Sequence, residues 1–111
     1  MPNNILPKNS ECISGALTIL GDKWTPLLIK ELTECPKKFS DLEKSLPGIS
    51  PRTLSQRLNK LEQTDIVTKT IYCPHPPRYN YALTKKGLDF QSILTDMALW
   101  SHKYSNQTVN S

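Results

Sequence analysis

Apolar residues recur at helical spacing along the first half of this chain, and the recurrence breaks wherever glycine or proline intervenes. Ile13, Leu17 and Leu20 fall near one side of a helical period, with Ala16 and Ile19 widening the stripe. That spacing predicts a short amphipathic first helix stopped by Gly21. The segment TPLLIKEL follows, with Pro26 tolerated in a first turn, and predicts a second helix running to about Glu34. Pro36 ends it. Phe39 then reads as an apolar anchor ahead of Ser40, the expected cap of a third short helix carrying Leu42 and Leu46, and Pro47-Gly48 makes the next turn.

Ser50-Pro51 predicts a sharply started fourth helix over residues 51 to 63, because the serine oxygen can accept an orphan N–H while proline occupies the first helical position at no hydrogen-bond cost. Leu54, Leu58 and Leu61 share its apolar side. Arg52, Gln56, Asn59 and Lys60 point the other way, Thr53 and Ser55 lie on the flanks, and Arg57 sits nearer the core boundary. After Asp65 the period changes. IVTKTIY and RYNYAL are rich in β-branched and aromatic residues and enclose CPHPP, which predicts a hairpin with a stiff, proline-rich tip. Thr84 caps a long last helix from about Lys85 to Tyr104, followed by a frayed tail from 105 to 111. Residues 1 to 11 are expected to form an N-terminal arm, and 12 to 104 the domain.

Three helices, a polar-faced capped helix, a hairpin and a final helix make a mainly α fold with a β-hairpin wing, the layout of a winged helix-turn-helix. The exposed side chains of the fourth helix suit base edges and phosphates in a major groove, and Lys69, His75 and Arg78 on the wing can reach an adjacent backbone or minor groove. Arg57 has two readings, a pair with a carboxylate such as Glu62 or a phosphate contact. The last helix offers more large apolar residues than so short a chain can cover. Phe90, Ile93, Met97 and Trp100, with Ile13, Leu17 and Trp24, are therefore expected to form a homodimer seam through the terminal helices.

Composition sharpens this picture. The chain has 111 residues, enough for one domain, and 14 Lys+Arg against 10 Asp+Glu, a formal net charge of +4. Residues 1 to 47 are neutral, with six lysines and six acids, so the whole excess falls on the expected recognition helix, wing and last helix. That favours a polyanionic partner, double-stranded DNA, with a small winged-helix adaptor that only contacts protein as the alternative. No apolar run approaches a membrane span and MPNNILPKNS lacks the core of a signal peptide, which predicts a cytoplasmic protein without a membrane partner. His75 and His102 have no visible catalytic partner, and Cys12, Cys35 and Cys73 form no C-x-x-C pair. No enzyme activity, metal or cofactor is expected.

Three blocks in order, GDKW (21 to 24), PKKFSDLEKSLPGISPRTLSQRLNKLE (36 to 62) and YCPHPPRYNYALTKKG (72 to 87), closely resemble the HxlR-type family of bacterial winged helix-turn-helix transcriptional regulators. The resemblance covers residues 12 to about 101. It implies a homodimeric DNA-binding regulator, more simply a repressor than an activator, acting at a palindromic operator. By position it implies recognition-helix contacts at Arg52, Thr53, Gln56 and Arg57, and a basic wing residue at Arg78. Cys12 coincides with the family's N-terminal cysteine, a redox or electrophile sensor in some members. Ile13 follows it here where the family usually has proline, and a packed, unreactive thiol is the competing reading. Any small-molecule effector is unspecified by the sequence.

Overall fold

The structure is a computed structural model that describes residues 9–109, with side chains from 13 to 105. Five helices and three short strands follow one another: α1 (Asn9–Ile19), α2 (Trp24–Glu34), β1 (Lys37–Lys38), α3 (Phe39–Ser45), α4 (Pro51–Gln63), β2 (Val67–Pro74), β3 (Pro77–Leu83) and α5 (Lys85–Val109). The start of α1 lies four residues ahead of its apolar stripe, and α5 is helical as far as Val109, where the sequence pattern predicts an end near Tyr104.

Local chemistry explains the boundaries. The Asp22 carboxylate starts α2 by accepting the Trp24 and Thr25 N–H groups at 2.7 and 2.9 Å, and the Thr25 hydroxyl donates to its other oxygen at 2.9 Å. Ser40 is not the cap of α3. Phe39 is already helical, because the Asp41 carboxylate reaches back to the Lys38 N–H at 3.1 Å and places the cap at Lys38, two residues earlier. Gly48, at φ 91°, makes the turn out of α3, a left-handed conformation that glycine adopts without a Cβ penalty. Ser50 caps α4 as expected, its oxygen accepting the Thr53 N–H at 3.0 Å with Pro51 at the first helical position.

A single core joins these elements. Leu28, Ile29 and Leu32 of α2 meet Leu42 and Leu46, Leu54, Leu58 and Leu61 of α4, Ile66, Val67 and Phe90, all buried. The junction of α4, β2 and α5 is tied by hydrogen bonds. The Thr84 N–H donates to the Ile66 carbonyl at 3.0 Å, its hydroxyl to the Asp65 carbonyl, and Lys86 Nζ to the Thr64 carbonyl at 2.8 Å. Gly87 completes the approach, since a Cβ there would overlap the Ile66 carbonyl oxygen. The hairpin therefore leaves the core at a fixed angle to α4.

The sheet has a strand that the sequence pattern does not predict. Its order is β1-β3-β2, all antiparallel, with Lys37 opposite Tyr81 and Lys38 opposite Asn80. Between β2 and β3 the register slips by one where Ile71 faces Tyr79 and Cys73 faces Arg78, leaving Tyr72 as the extra residue of a bulge. Beyond Leu94 the long α5 leaves the core. The radius of gyration, 16.4 Å, exceeds the about 13 Å of a compact chain of this length.

Candidate nucleic-acid interface

The side of α4 that packs on the core determines what it shows to solvent. With Leu54, Leu58 and Leu61 buried, Arg52, Ser55, Gln56 and Asn59 are all exposed. At roughly 100° per residue they occupy an arc of about 100°, and exposed Gln63 falls in the same arc. Gln63 carries the same helical-wheel signal as its neighbours and belongs with them. The stripe holds hydrogen-bonding side chains and a guanidinium with no carboxylate among them. Thr53, on its flank, is half-buried and engaged in the cap, where the Ser50 hydroxyl donates to Thr53 Oγ1 at 2.9 Å.

Three predicted contacts are otherwise employed. Arg57 turns to Asp22, not Glu62: its Nε lies 3.0 Å from Asp22 Oδ2 with the N–H directed off that oxygen, so the contact is a charge pair rather than a formed hydrogen bond. Burial works against the Asp22 charge, but the Thr25 and Trp24 hydrogen bonds and the Arg57 charge outweigh it and hold the carboxyl below its usual range. Arg57 therefore helps fix α2 against α4. Lys60 reaches back to the C-terminal turn of α1, donating from Nζ to the Thr18 carbonyl at 2.6 Å. Lys69 lies 3.6 Å from Glu62 and 4.6 Å from the centre of the Tyr79 ring, which folds it along the sheet. Each position is set by a partner on another element or segment.

The wing keeps the other two predicted residues in the open. His75 and Arg78 are exposed beside the hairpin tip, where Pro74 faces Pro77 and the His75–Pro76 bond is cis. Arg78 and Ser55 of α4 border one cleft of about 350 Å³, together with Phe39, Ser40, Tyr72 and Tyr81. Burial pushes the Tyr81 phenol up, with Glu62 and Tyr79 adding to the shift, so it stays protonated and able to donate. Strand β1 also places Lys37 and Lys38 on the sheet, with Lys38 Nζ 4.8 Å from the Tyr72 ring centre. In the sequence these lysines fall within residues 1 to 47, the stretch with no net charge. Only the pairing with β3 brings their charge to the wing.

The proposed seam also divides. Ile13, Leu17, Ile93, Met97 and Trp100 are exposed, Trp100 to 67%. Phe90, at 8%, belongs to the core of its own chain, and Trp24 is half-buried against that core. The last helix turns Phe90 and Leu94 inward before it leaves the domain. Cys12 lies outside the residues whose side chains are described. Cys35 is exposed at the end of α2, and half-buried Cys73 directs its thiol to the His75 carbonyl at 3.7 Å. Among the described residues no group of His, Cys, Asp and Glu could hold a metal ion, and no helix is long and apolar enough to cross a membrane.

Comparison with known proteins agrees with this geometry. The family model described as HxlR-like helix-turn-helix matches residues 19–109. The HTH-type transcriptional regulator YodB of Bacillus subtilis is 33% identical over 104 residues, spanning 94% of this chain and 89% of that protein. The solved reduced form of YodB superposes with a TM-score of 0.75 at 32% identity, covering 91% and 95% of the two chains. A MarR-family transcriptional regulator from Enterococcus faecalis V583 superposes at 0.86 with 26% identity over 99% and 100%. The redox regulator HypR in its reduced form gives 0.79 and 26% over 89% and 98%. Regulators, not enzymes, surround the chain on every comparison. With the polar-faced helix, the wing and the matched blocks together, the chain belongs to the HxlR-like helix-turn-helix family of transcriptional regulators.

Proposed function

We propose that the protein acts in the cytoplasm as a homodimer that binds a two-fold symmetric stretch of double-stranded DNA and represses transcription by occluding a promoter. The exposed stripe Arg52, Ser55, Gln56, Asn59 and Gln63 on α4 carries this reading, because it is held rigidly by a buried opposite face and is free of acids. The wing supplies backbone contacts through Arg78 and His75. Arg57, Lys60 and Lys69 act chiefly in positioning, since their charged ends are already engaged. Two copies joined through α1 and α5 would offer two recognition helices to successive major grooves.

Binding of fluorescently labelled duplexes, selected by footprinting on genomic DNA and titrated at several salt concentrations, tests the reading. Gln56→Ala or Arg52→Ala should cost about 1 to 3 kcal/mol on the selected site and less on unrelated duplexes. Uniform weakening on all sequences would remove base readout by α4. A dimer with no salt-dependent affinity for any duplex would leave the protein-adaptor alternative.

Redox control is proposed on two supports, the resemblance that aligns Cys12 with a sensing cysteine and the likeness to YodB and to the redox regulator HypR. Oxidised wild type should release its operator while oxidised Cys12→Ser retains it. Equal affinity of reduced, oxidised and Cys12→Ser protein would refute the sensor.

A further inference from the structure

The cleft between α3, α4 and the wing has the composition of an anion seat. Its lining is Phe39, Ser40, Ser55, Tyr72, Pro77, Arg78, Tyr79 and Tyr81, with one cation, two serine hydroxyls, three phenols and no carboxylate. Lys38 adds a second cation at its edge, because its ammonium lies over the Tyr72 ring. Two backbone features bring these groups together. Pairing of Lys38 with Asn80 ties the start of α3 to the wing, and the bulge at Tyr72 re-aims that ring out of the regular alternation. The acid nearest in sequence, Asp41, is engaged by the Lys38 N–H.

On the reading that α4 enters a major groove, this cleft faces the strand between the helix and the wing. We propose that it grips a single backbone phosphate of the duplex, with Lys38 and Arg78 as its two cations and the Ser40 and Ser55 hydroxyls as donors. Lys38, Ser40 and Tyr72 thereby join the DNA-binding surface. The seat fixes the wing and the recognition helix to the same phosphate, so that rotation of one relative to the other is read as loss of contact. It adds affinity without sequence preference.

Salt titration of the selected duplex supplies the test. Lys38→Gln and Arg78→Gln should each lower the slope of log affinity against log salt by up to about 0.9, the value for one phosphate. Because both act on the same phosphate, the double variant should change the slope by no more than about that one unit. Replacing duplex phosphates one at a time by neutral methylphosphonate should reveal a position that weakens wild-type binding and ceases to matter in the double variant. Lys38→Arg should restore the wild-type slope, and thermal melts of all variants should coincide with wild type. An unchanged slope in Lys38→Gln, or a slope change in the double variant well above about 0.9, overturns the shared seat while leaving DNA binding intact. Wild-type protein lacking salt-dependent binding overturns both.

Discussion

Replacing Ile93 and Trp100 together by Asp should leave the helix-turn-helix fold intact, yield a monomer, and weaken operator binding at least about a hundredfold. The fold should survive because both side chains are exposed on α5 beyond the point where Phe90 enters the core. The dimer should not. An unpaired carboxylate buried in an interface costs about 3 to 5 kcal/mol, and each symmetric interface would carry both changes twice. Loss of one recognition helix per complex then removes the effective-concentration gain of bivalent binding. Sedimentation velocity, a thermal melt and operator titration read the three outcomes separately. A variant that remains dimeric would place the interface elsewhere, and a monomer with unchanged affinity would show that one head suffices. The extended shape and the row Ile93, Met97 and Trp100 on one arm favour the dimer.

Leu58→Ala should lower unfolding stability by about 3 kcal/mol, within the usual range for a fully buried leucine. Leu58 is 1% exposed at the middle of α4, between equally buried Leu54 and Leu61, and the whole core rests on that stripe. A cavity there loosens the element that presents Gln56 and Asn59. Denaturant titration should show a lower midpoint with little change in slope, since the surface exposed on unfolding is nearly the same. A loss below about 1 kcal/mol would mean that the site collapses around the smaller side chain. Discrimination between selected and unrelated duplexes should persist where the variant is folded, because no exposed α4 side chain is changed. Its disappearance would show that the stripe is not held as a rigid unit.

Helix α4 was legible because its signals are local. Ser50 and Pro51 specify a start through a hydrogen bond and a ring constraint, and three leucines at helical spacing specify which side is buried. What faces outward follows by subtraction, which is why Arg52, Gln56 and Asn59 were readable from the chain, while Ser55, expected on the flank, is exposed with them. The same reasoning does not reach the intramolecular partners of long cationic side chains. Arg57, Lys60 and Lys69 can swing over several ångströms, and each found a partner on another element: Asp22 before α2, the Thr18 carbonyl ending α1, and Glu62 at the end of α4. The cap of α3 lies two residues ahead of Ser40 for a similar reason, an Asp41 carboxylate reaching backward to Lys38.

Strand β1 is the clearest case of information absent from local pattern. Two lysines after a proline carry no strand period, and they become a strand only because the exposed edge of β3 offers its unpaired backbone groups to them. That pairing carries two charges from a neutral stretch of sequence to the wing. The fate of the last helix divides in the same way. Its apolar residues announced a surplus, but only packing against α2 and β3 showed that Phe90 is spent on the chain's own core while Ile93, Met97 and Trp100 are left outside. By itself, then, the sequence determined the order of helices, the capped polar-faced helix, the hairpin and the family, since caps, periods and proline constraints act within a few residues. The tertiary structure alone decided which charges remain free and which apolar residues stay uncovered. Both depend on contacts between segments that the chain brings together only by folding.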